Sequence, residues 1–138
     1  MTERFLPRSK EELKQAVANY CGVKHDRSHG PIGTWDTSLI TDMSKLFYNL
    51  RKFNDESIAD WDTSSVTDMG YMFYGCTSFN QPLSAWNIAS VMYMDYMFEG
   101  CTSFYQPMGS WHKPRRLFQN CPDPDYCCTV CSDEFGCK

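Results

Sequence analysis

The sequence predicts an α/β repeat fold: a short solenoid of about three helix-plus-extended units, closed by a cap at each end. Its four tryptophans recur at spacings of 26, 25 and 25 residues, at Trp35, Trp61, Trp86 and Trp111. Other apolar residues keep phase with these tryptophans, and a helix-like spacing of apolar residues recurs within each unit. Self-similarity at a fixed period of this length is typical of stacked repeats.

The apolar columns of the repeat can be read at fixed distances after each tryptophan. They are Ile40, Val66 and Val91; Met43, Met69 and Met94; Leu46, Met72 and Met97; Phe47, Phe73 and Phe98; Leu50, Cys76 and Cys101; and Phe53, Phe79 and Phe104. Six columns in register over three units are very unlikely to arise by chance. Since one unit is too small to bury its own apolar side, the units are expected to stack, with Trp, Phe and Met each forming a ladder.

A short helix is predicted in each unit, near residues 41–49, 67–75 and 92–99. The apolar residues between 66 and 76 follow the spacing of one helical face. The segment Ser65-Val-Thr-Asp68 has the form of a capping box, and Gly75 stands where a left-handed turn would end a helix. The chain that follows is expected to be extended, with any strand kept short by Pro82, because proline cannot donate to a ladder.

Two caps complete the predicted organisation. Residues 1–34 form an N-terminal capping helix and entry loop, with Ser9 and Glu12 as its capping box and a stripe that includes Leu13 and Val17 as its apolar face. The repeats occupy 35–111, divided as 35–60, 61–85 and 86–110. Residues 112–138 form a cysteine-rich C-terminal cap.

The charge distribution argues against a nucleic-acid partner. The net charge is −4, and between Trp61 and Trp111 the charged residues are all acidic: Asp62, Asp68, Asp95 and Glu99. Nucleic-acid affinity rests mainly on Lys and Arg that neutralise phosphates. The sequence contains no run of 18 apolar residues, so it predicts no transmembrane segment. Its first residues include no apolar stretch as long as that of a signal peptide. An intracellular or virion-associated protein is therefore expected rather than a classically secreted one.

Five of the eight cysteines lie in the C-terminal tail, and three hypotheses about their chemical state remain open. Cys121, Cys127, Cys128, Cys131 and Cys137 are candidates for disulfides that would staple the C-terminal cap. A zinc site on Cys121, Cys128, Cys131 and Cys137 is the alternative, although a single C-x2-C pair is weak evidence for zinc. Free thiols are the third hypothesis. Cys76 and Cys101, in one column of the repeat, are expected to be buried free thiols.

The repeat motif resembles a known family. The segments Trp61-Asp-Thr-Ser-Ser-Val-Thr-Asp-Met69, Met72-Phe73 and Cys76-Thr-Ser-Phe-Asn-Gln-Pro-Leu83 are similar to the repeat of BspA-like surface proteins, first noted in mycoplasma lipoproteins and bacterial surface proteins. The likeness covers about residues 35–111. It implies a leucine-rich-repeat-like solenoid that serves adhesion or protein contacts, and it brings no catalytic residues.

No constellation of residues predicts catalysis or a cofactor. The histidines, His25, His29 and His112, all fall in the caps or entry loop, and no phosphate-binding or zinc-protease motif is present. The predicted function is a non-catalytic repeat protein that mediates protein–protein contacts. An architectural subunit of a larger assembly, such as a capsid or envelope layer, and a zinc-stabilised interaction module are the alternatives.

Partner binding is predicted where the repeat departs from its own pattern. In the third unit, Met92 and Tyr93 replace the Thr67-Asp68 pair of the second unit. With three further tyrosines, these residues have the aromatic composition that is enriched at interface hot spots. The candidate partner-binding residues are Tyr71, Met92, Tyr93, Tyr96 and Tyr105.

Overall fold

The computed structural model describes residues 3–107 and Trp111. Within those residues the chain forms one α-helix, α1 (Lys10–Cys21), and two 3-10 helices, Ile32–Thr34 and Glu56–Asp60. Strand-like pairing is limited to two isolated parallel bridges, one between Asp42 and Asp68 and one between Asp68 and Tyr93. The predicted α/β solenoid, leucine-rich-repeat-like in its units, is therefore wrong: in the described residues, the segments 41–49, 67–75 and 92–99 form turns instead of the short helices predicted there, and no strand longer than an isolated bridge is present.

The N-terminal helix was predicted correctly. Helix α1 begins after Ser9, whose hydroxyl accepts a hydrogen bond from the amide of Glu12 at 3.1 Å. In a capping box the Glu12 carboxylate would accept from the amide of Ser9. Here it accepts instead from the amide of Arg8, one residue earlier. Of the predicted stripe, Leu13, Ala16 and Val17 are buried and Tyr20 is partly buried. Lys10 binds the Asp42 carboxylate at 3.1 Å. The helix thus packs on the first repeat unit and joins its core.

The segments predicted to be repeat helices form hydrogen-bonded turns that bond to the next unit. Two positions in each turn are left-handed, which an α-helix of L-residues does not allow. In unit 1 (residues 35–60) these are Lys45 and Asn49, with φ of 59° and 58°. Alternate amides bond locally to the carbonyl three residues back, as Leu46 does to Met43. The amides between them point along the stack.

Those intervening amides form a regular ladder through the three units. Four amides of unit 1 donate to carbonyls of unit 2, in the pairs Met43 to Asp68, Lys45 to Gly70, Phe47 to Met72 and Asn49 to Tyr74. Four amides of unit 2 donate to carbonyls of unit 3 in the same way, in the pairs Met69 to Tyr93, Tyr71 to Asp95, Phe73 to Met97 and Gly75 to Glu99. Each unit therefore supplies the partners that an isolated turn could not find for itself.

The aromatic core stacks column by column, as the repeat predicted. Phe47, Phe73 and Phe98 lie nearly parallel, with ring centroids 5.2 and 5.6 Å apart. A second column of phenylalanines, Phe53, Phe79 and Phe104, stacks beside the first. The ring nitrogens of Trp61, Trp86 and Trp111 donate to the carbonyls of Ile32, Ile58 and Leu83 in the preceding turn of the chain. Each tryptophan therefore fills the core and satisfies its polar atom between neighbouring units.

The residues after each tryptophan build the corner of the unit. Asp62 accepts from the amide and hydroxyl of Ser64, which lowers the pKa of the Asp62 carboxyl below its usual value. Thr63 is buried, and its hydroxyl donates to the carbonyl of Asn87 in the next unit at 2.9 Å. Asp68, which the sequence placed in a capping box, instead accepts from the amide of Gly70 in an Asx turn. The repeated spacing thus encodes turns rather than helix caps.

The predicted C-terminal cap, 112–138, lies outside the described residues. The same is true of every cysteine proposed for tail disulfides or for zinc: Cys121, Cys127, Cys128, Cys131 and Cys137.

Candidate interaction surface

Four tyrosines form a continuous surface across the three units, which we call the tyrosine surface: Tyr48, Tyr71, Tyr74 and Tyr96. Tyr48 stacks on Tyr74 with centroids 4.9 Å apart, and Tyr71 stacks on Tyr96 at 5.0 Å. A tilted contact of 5.7 Å between Tyr71 and Tyr74 joins the two stacks. The structure therefore brings the predicted residues Tyr71 and Tyr96 together and adds two rings that the prediction missed.

The local backbone explains how the rings come to lie side by side. Tyr71 and Tyr96 are both left-handed, with φ of 58°, and they occupy the same column as Lys45. Their amide and carbonyl neighbours belong to the inter-unit ladder, in which the Tyr71 amide donates to the Asp95 carbonyl at 2.9 Å. Bulky residues are uncommon at positive φ, where glycine or asparagine is favoured. Tyrosine at these two positions therefore carries a backbone cost that glycine would avoid.

The electrostatics of the surface are acidic over units 2 and 3. Partial desolvation raises the pKa of the Tyr71 hydroxyl, and the nearby Tyr96 and Asp95 groups raise it further. The cation that contacts these rings comes from unit 1, where the Lys45 ammonium lies 5.6 Å from the centroid of Tyr71. This Lys45–Tyr71 pair has the geometry of a cation–π contact.

The other predicted binding residues fall into two groups. Met92 and Tyr93 are 58% and 54% exposed and stand in the columns of Thr67 and Asp68. Tyr93 lacks the carboxylate with which Asp68 closes its Asx turn onto the amide two residues ahead. Tyr105, 78% exposed, lies in a different column, where its amide donates to the Asn80 side chain. It is thus outside the group of rings that stack in the tyrosine surface.

The missed residues had a signal in the sequence. Tyr48 and Tyr74 both lie 13 residues after a tryptophan, and Lys45 and Tyr71 lie 10 residues after one. These are the polar columns of the repeat, and the prediction followed the apolar ones.

Apart from the tyrosine surface, a groove lies beside the end of α1. It has a volume of about 640 Å³, with Arg27, Lys52, Asp55 and Glu56 among its lining residues. The Arg27 guanidinium is held 3.7 Å from the centroid of Tyr20, and its Nη1 donates to the Tyr20 carbonyl. Because the lining mixes both signs of charge, the groove favours no single class of ligand.

The described cysteines are free thiols, which confirms the prediction for Cys76 and Cys101. Each of these two buried thiols donates to a carbonyl of the preceding unit at 2.9 Å, Cys76 to Phe47 and Cys101 to Phe73. Burial raises the pKa of each from the usual 9.0 to about 12. The pKa of the half-buried Cys21 thiol is raised to about 11, again chiefly by desolvation. Protonated thiols of this kind are poor nucleophiles and poor metal ligands.

Across residues 3–107 and Trp111, no group of three or more His, Cys, Asp or Glu side chains is placed to hold a metal ion. In the same part of the chain, no helix is both long and apolar enough to cross a membrane.

The stacked units and the two stacks of partly exposed tyrosines define the chain as a repeat protein with a row of aromatic rings at its surface. The model of a family described as "Mycoplasma protein of unknown function, DUF285" matches residues 12–121, which is more than half of the chain. The chain therefore belongs to this family. No curated protein and no solved structure matches it.

Proposed function

We propose that this chain is a non-catalytic repeat protein that binds protein partners through the tyrosine surface together with Met92 and Tyr93. The observation that carries the proposal is the two stacks of partly exposed tyrosines, in which Tyr48 is 41% exposed and the other three rings are half-buried, since aromatic rings supply large contact areas at low cost in side-chain entropy. The narrower proposal, that it is a BspA-like repeat protein, rests on the family match and the motif of residues 61–83.

Two residues support binding because they work against stability. Tyr71 and Tyr96 hold left-handed backbones that glycine would adopt at no cost. The turn imposes the same conformation on Lys45 in unit 1, so the choice of tyrosine rather than glycine in units 2 and 3, and not the conformation itself, favours a role of these rings in recognition.

Tyr93 lacks a local side-chain hydrogen bond that the aspartates of its column make. The equivalent Asp42 and Asp68 each accept the amide two residues ahead at 2.8 Å, and a tyrosine cannot make this bond. A side chain that replaces a turn-forming carboxylate and leaves more than half of its area exposed contributes little to the core.

The test is site-specific photo-cross-linking of the full chain in the cells that express it. A photoreactive phenylalanine at Tyr93 should capture a discrete partner, whereas the same group at Val23, which is 99% exposed at the end of α1, should not. Tyr93→Ala should abolish partner binding in a pull-down while the unfolding transition stays in place. Equal capture from both positions, or unchanged binding of Tyr93→Ala, would contradict the proposal.

The same experiment distinguishes a reversible binding protein from the alternative, an architectural subunit of a larger assembly. A subunit of a capsid or envelope layer would be recovered only with a particle at fixed stoichiometry, and its cross-links would lead to copies of one assembly. A reversible binding protein would be recovered as a soluble species whose complex dissociates on dilution.

A further inference from the structure

Building on the proposed protein-binding function, we propose that the partner presents a basic segment, and that one of its Lys or Arg side chains seats on the ring of Tyr74 beside Glu99. This assigns a chemical class to the partner and a cation-binding position to the surface. It is argued from the columns of the repeat, from the charge of units 2 and 3 and from a cation–π contact within the chain.

The column that contains Tyr74 is left incomplete in unit 3. Its members are Tyr48, Tyr74 and Glu99, so the aromatic stack ends after Tyr74 and a carboxylate takes the third place. Tyr48 covers one face of the Tyr74 ring, with planes only 8° from parallel. Among the described residues, the other ring in contact with Tyr74 is Tyr71, which meets it at a tilt of 41°. No ring of unit 3 stacks on Tyr74 in that part of the chain.

The backbone ladder places the Glu99 position next to that of Tyr74. The amide of Gly75, which follows Tyr74, donates to the Glu99 carbonyl at 2.8 Å. The two side chains therefore leave the backbone from adjacent units at the same position of the repeat. An aromatic face with a carboxylate beside it is a favourable environment for an ammonium or guanidinium group.

The charge of the region excludes the opposite kind of ligand. From Trp61 to Trp111 the chain carries no Lys, Arg or His, and Asp68, Asp95 and Glu99 all belong to the turns that bear the tyrosines. An anionic partner would be repelled there, whereas a basic segment would be drawn to it.

The chain itself shows how a cation packs on this surface. In the neighbouring column the order is Lys45, Tyr71 and Tyr96, and the Lys45 ammonium lies 5.6 Å from the centroid of Tyr71. One column thus ends in a cation in unit 1 and the other ends in a carboxylate in unit 3. A basic side chain from a partner would make at Tyr74 the contact that Lys45 makes at Tyr71.

The test measures binding of a short arginine-rich peptide to the full chain, with a peptide of the same length in which citrulline replaces arginine. Citrulline keeps the shape of the arginine side chain and removes its charge, so binding of the arginine peptide alone is the expected result. Tyr74→Phe keeps an aromatic face and should bind within about twofold of the unchanged protein. Tyr74→Leu should weaken binding by about threefold to thirtyfold, the range expected for a lost cation–π contact.

Charge variants complete the design. Glu99→Gln should weaken binding of the arginine peptide severalfold, while Glu3→Gln, which removes an exposed carboxylate far along the sequence, should leave it unchanged. If Tyr74→Leu fails to fold, Glu99→Tyr replaces it, because this change completes the tyrosine column, covers the ring and removes the carboxylate together. Glu99→Tyr should also lose binding of the peptide.

Three results would overturn the proposal: equal binding of the arginine and citrulline peptides, equal binding by Tyr74→Phe and Tyr74→Leu, or equal losses in Glu99→Gln and Glu3→Gln. The proposed function can fail separately. If cross-linking through Tyr93 captures a partner that the arginine peptide does not displace, the surface binds proteins and only the basic character of the partner is wrong.

Discussion

Buried threonines contribute to the stack through their hydroxyl groups. Thr37 and Thr63 each stand two residues after a tryptophan, are almost fully buried and donate to a carbonyl of the next unit at 2.9 Å. Both bonds are partly buried, so the accepting carbonyl is not fully rehydrated when its hydroxyl partner is lost. Each of the two residues therefore joins its unit to the next one.

Thr63→Val is expected to lower the free energy of unfolding by about 1–2 kcal/mol, because valine keeps the shape and leaves the Asn87 carbonyl unpaired. The control is Thr67→Val, whose more exposed hydroxyl donates to the Thr41 carbonyl at 3.1 Å. Water can replace that bond, so the control should cost less than about 0.5 kcal/mol. Urea unfolding of both variants tests the difference, and equal losses would contradict it.

The buried thiols predict a loss of stability in alkali. The pKa of Cys76 and Cys101 is about 12 in the folded protein and 9.0 when the chain is exposed. Since the folded state holds the neutral thiol, their contribution is fully present below pH 9.0 and is lost as the pH rises from there toward about 12.

The measurement is urea unfolding at about pH 8 and about pH 10.5, for the unchanged protein and for the double variant Cys76→Ala/Cys101→Ala. The variant should be less stable at the lower pH, because alanine leaves a cavity and removes two hydrogen bonds. It should lose less stability than the unchanged protein between the two values. A parallel loss in both proteins would assign the alkaline effect to other groups.

At the scale of elements, the two 3-10 helices pack closely at Gly33. A side-chain carbon at Gly33 would lie 2.4 Å from the Ser57 Cβ and 2.5 Å from the Ser57 carbonyl oxygen. The first helix leads into Trp35 and the second into Trp61, so their contact sets the spacing of the first two tryptophans. Only glycine allows this approach.

Gly33→Ala is expected to destabilise the protein by about 1–3 kcal/mol, the usual cost of overpacking against backbone atoms. Gly70→Ala is the matched control, since its new carbon would lie 3.2 Å from the Asp68 carboxylate oxygen and 3.7 Å from the Asp95 carbonyl oxygen, and its φ is not positive. Thermal unfolding followed by tryptophan fluorescence separates them. A control that loses as much as Gly33→Ala would show that the packing argument is wrong.

The repeat turns show where an element could not be predicted from its residues. Apolar residues three or four apart fit an α-helix, and they also fit a turn in which alternate amides bond three residues back. The left-handed conformation of Gly75 and Gly100 was expected, with φ of 72° and 75°, but the same conformation at Lys45 and Tyr71 was not. Residues other than glycine rarely adopt it, so a sequence gives no warning of it. The helix α1 was predictable because its cap and apolar stripe are local.

At the scale of the whole molecule, register is what holds the units together. The bonds of the backbone ladder join residues 24 or 25 positions apart, and both phenylalanine columns stack rings 25 or 26 positions apart. In stacked repeats, stability is close to a sum over units and their interfaces. Removal of a unit in register should therefore be tolerated better than a small shift out of register.

Deletion of residues 61–85 joins Asp60 to Trp86 and keeps every column in phase, so the product should unfold cooperatively at a lower temperature. Deletion of residues 61–84 leaves one residue too many before Trp86, and the following bonds can no longer form together. Its unfolding transition should be broad or absent. Circular dichroism and tryptophan fluorescence during heating distinguish these outcomes, and similar transitions for both products would contradict the role of register.

The tyrosine surface was predicted only in part, and for a comparable reason. Met92, Tyr93, Tyr71 and Tyr96 stood out as departures from the repeat or as tyrosines near them. Tyr48 and Tyr74 join Tyr71 and Tyr96 only because neighbouring units stack in register and bring rings of the same column within about 5 Å.

The sequence by itself determined the period of the repeat, the apolar columns, the capping helix and the acidic character of units 2 and 3, because periodicity, caps and charge are written in the order of residues. Only the tertiary structure decided that the units are turns rather than helices. The amides of each turn bond to carbonyls of the next unit, so the conformation of a unit depends on partners some 25 residues away. The same long-range ladder sets Tyr74 beside Glu99 and so creates the position proposed to receive a basic side chain.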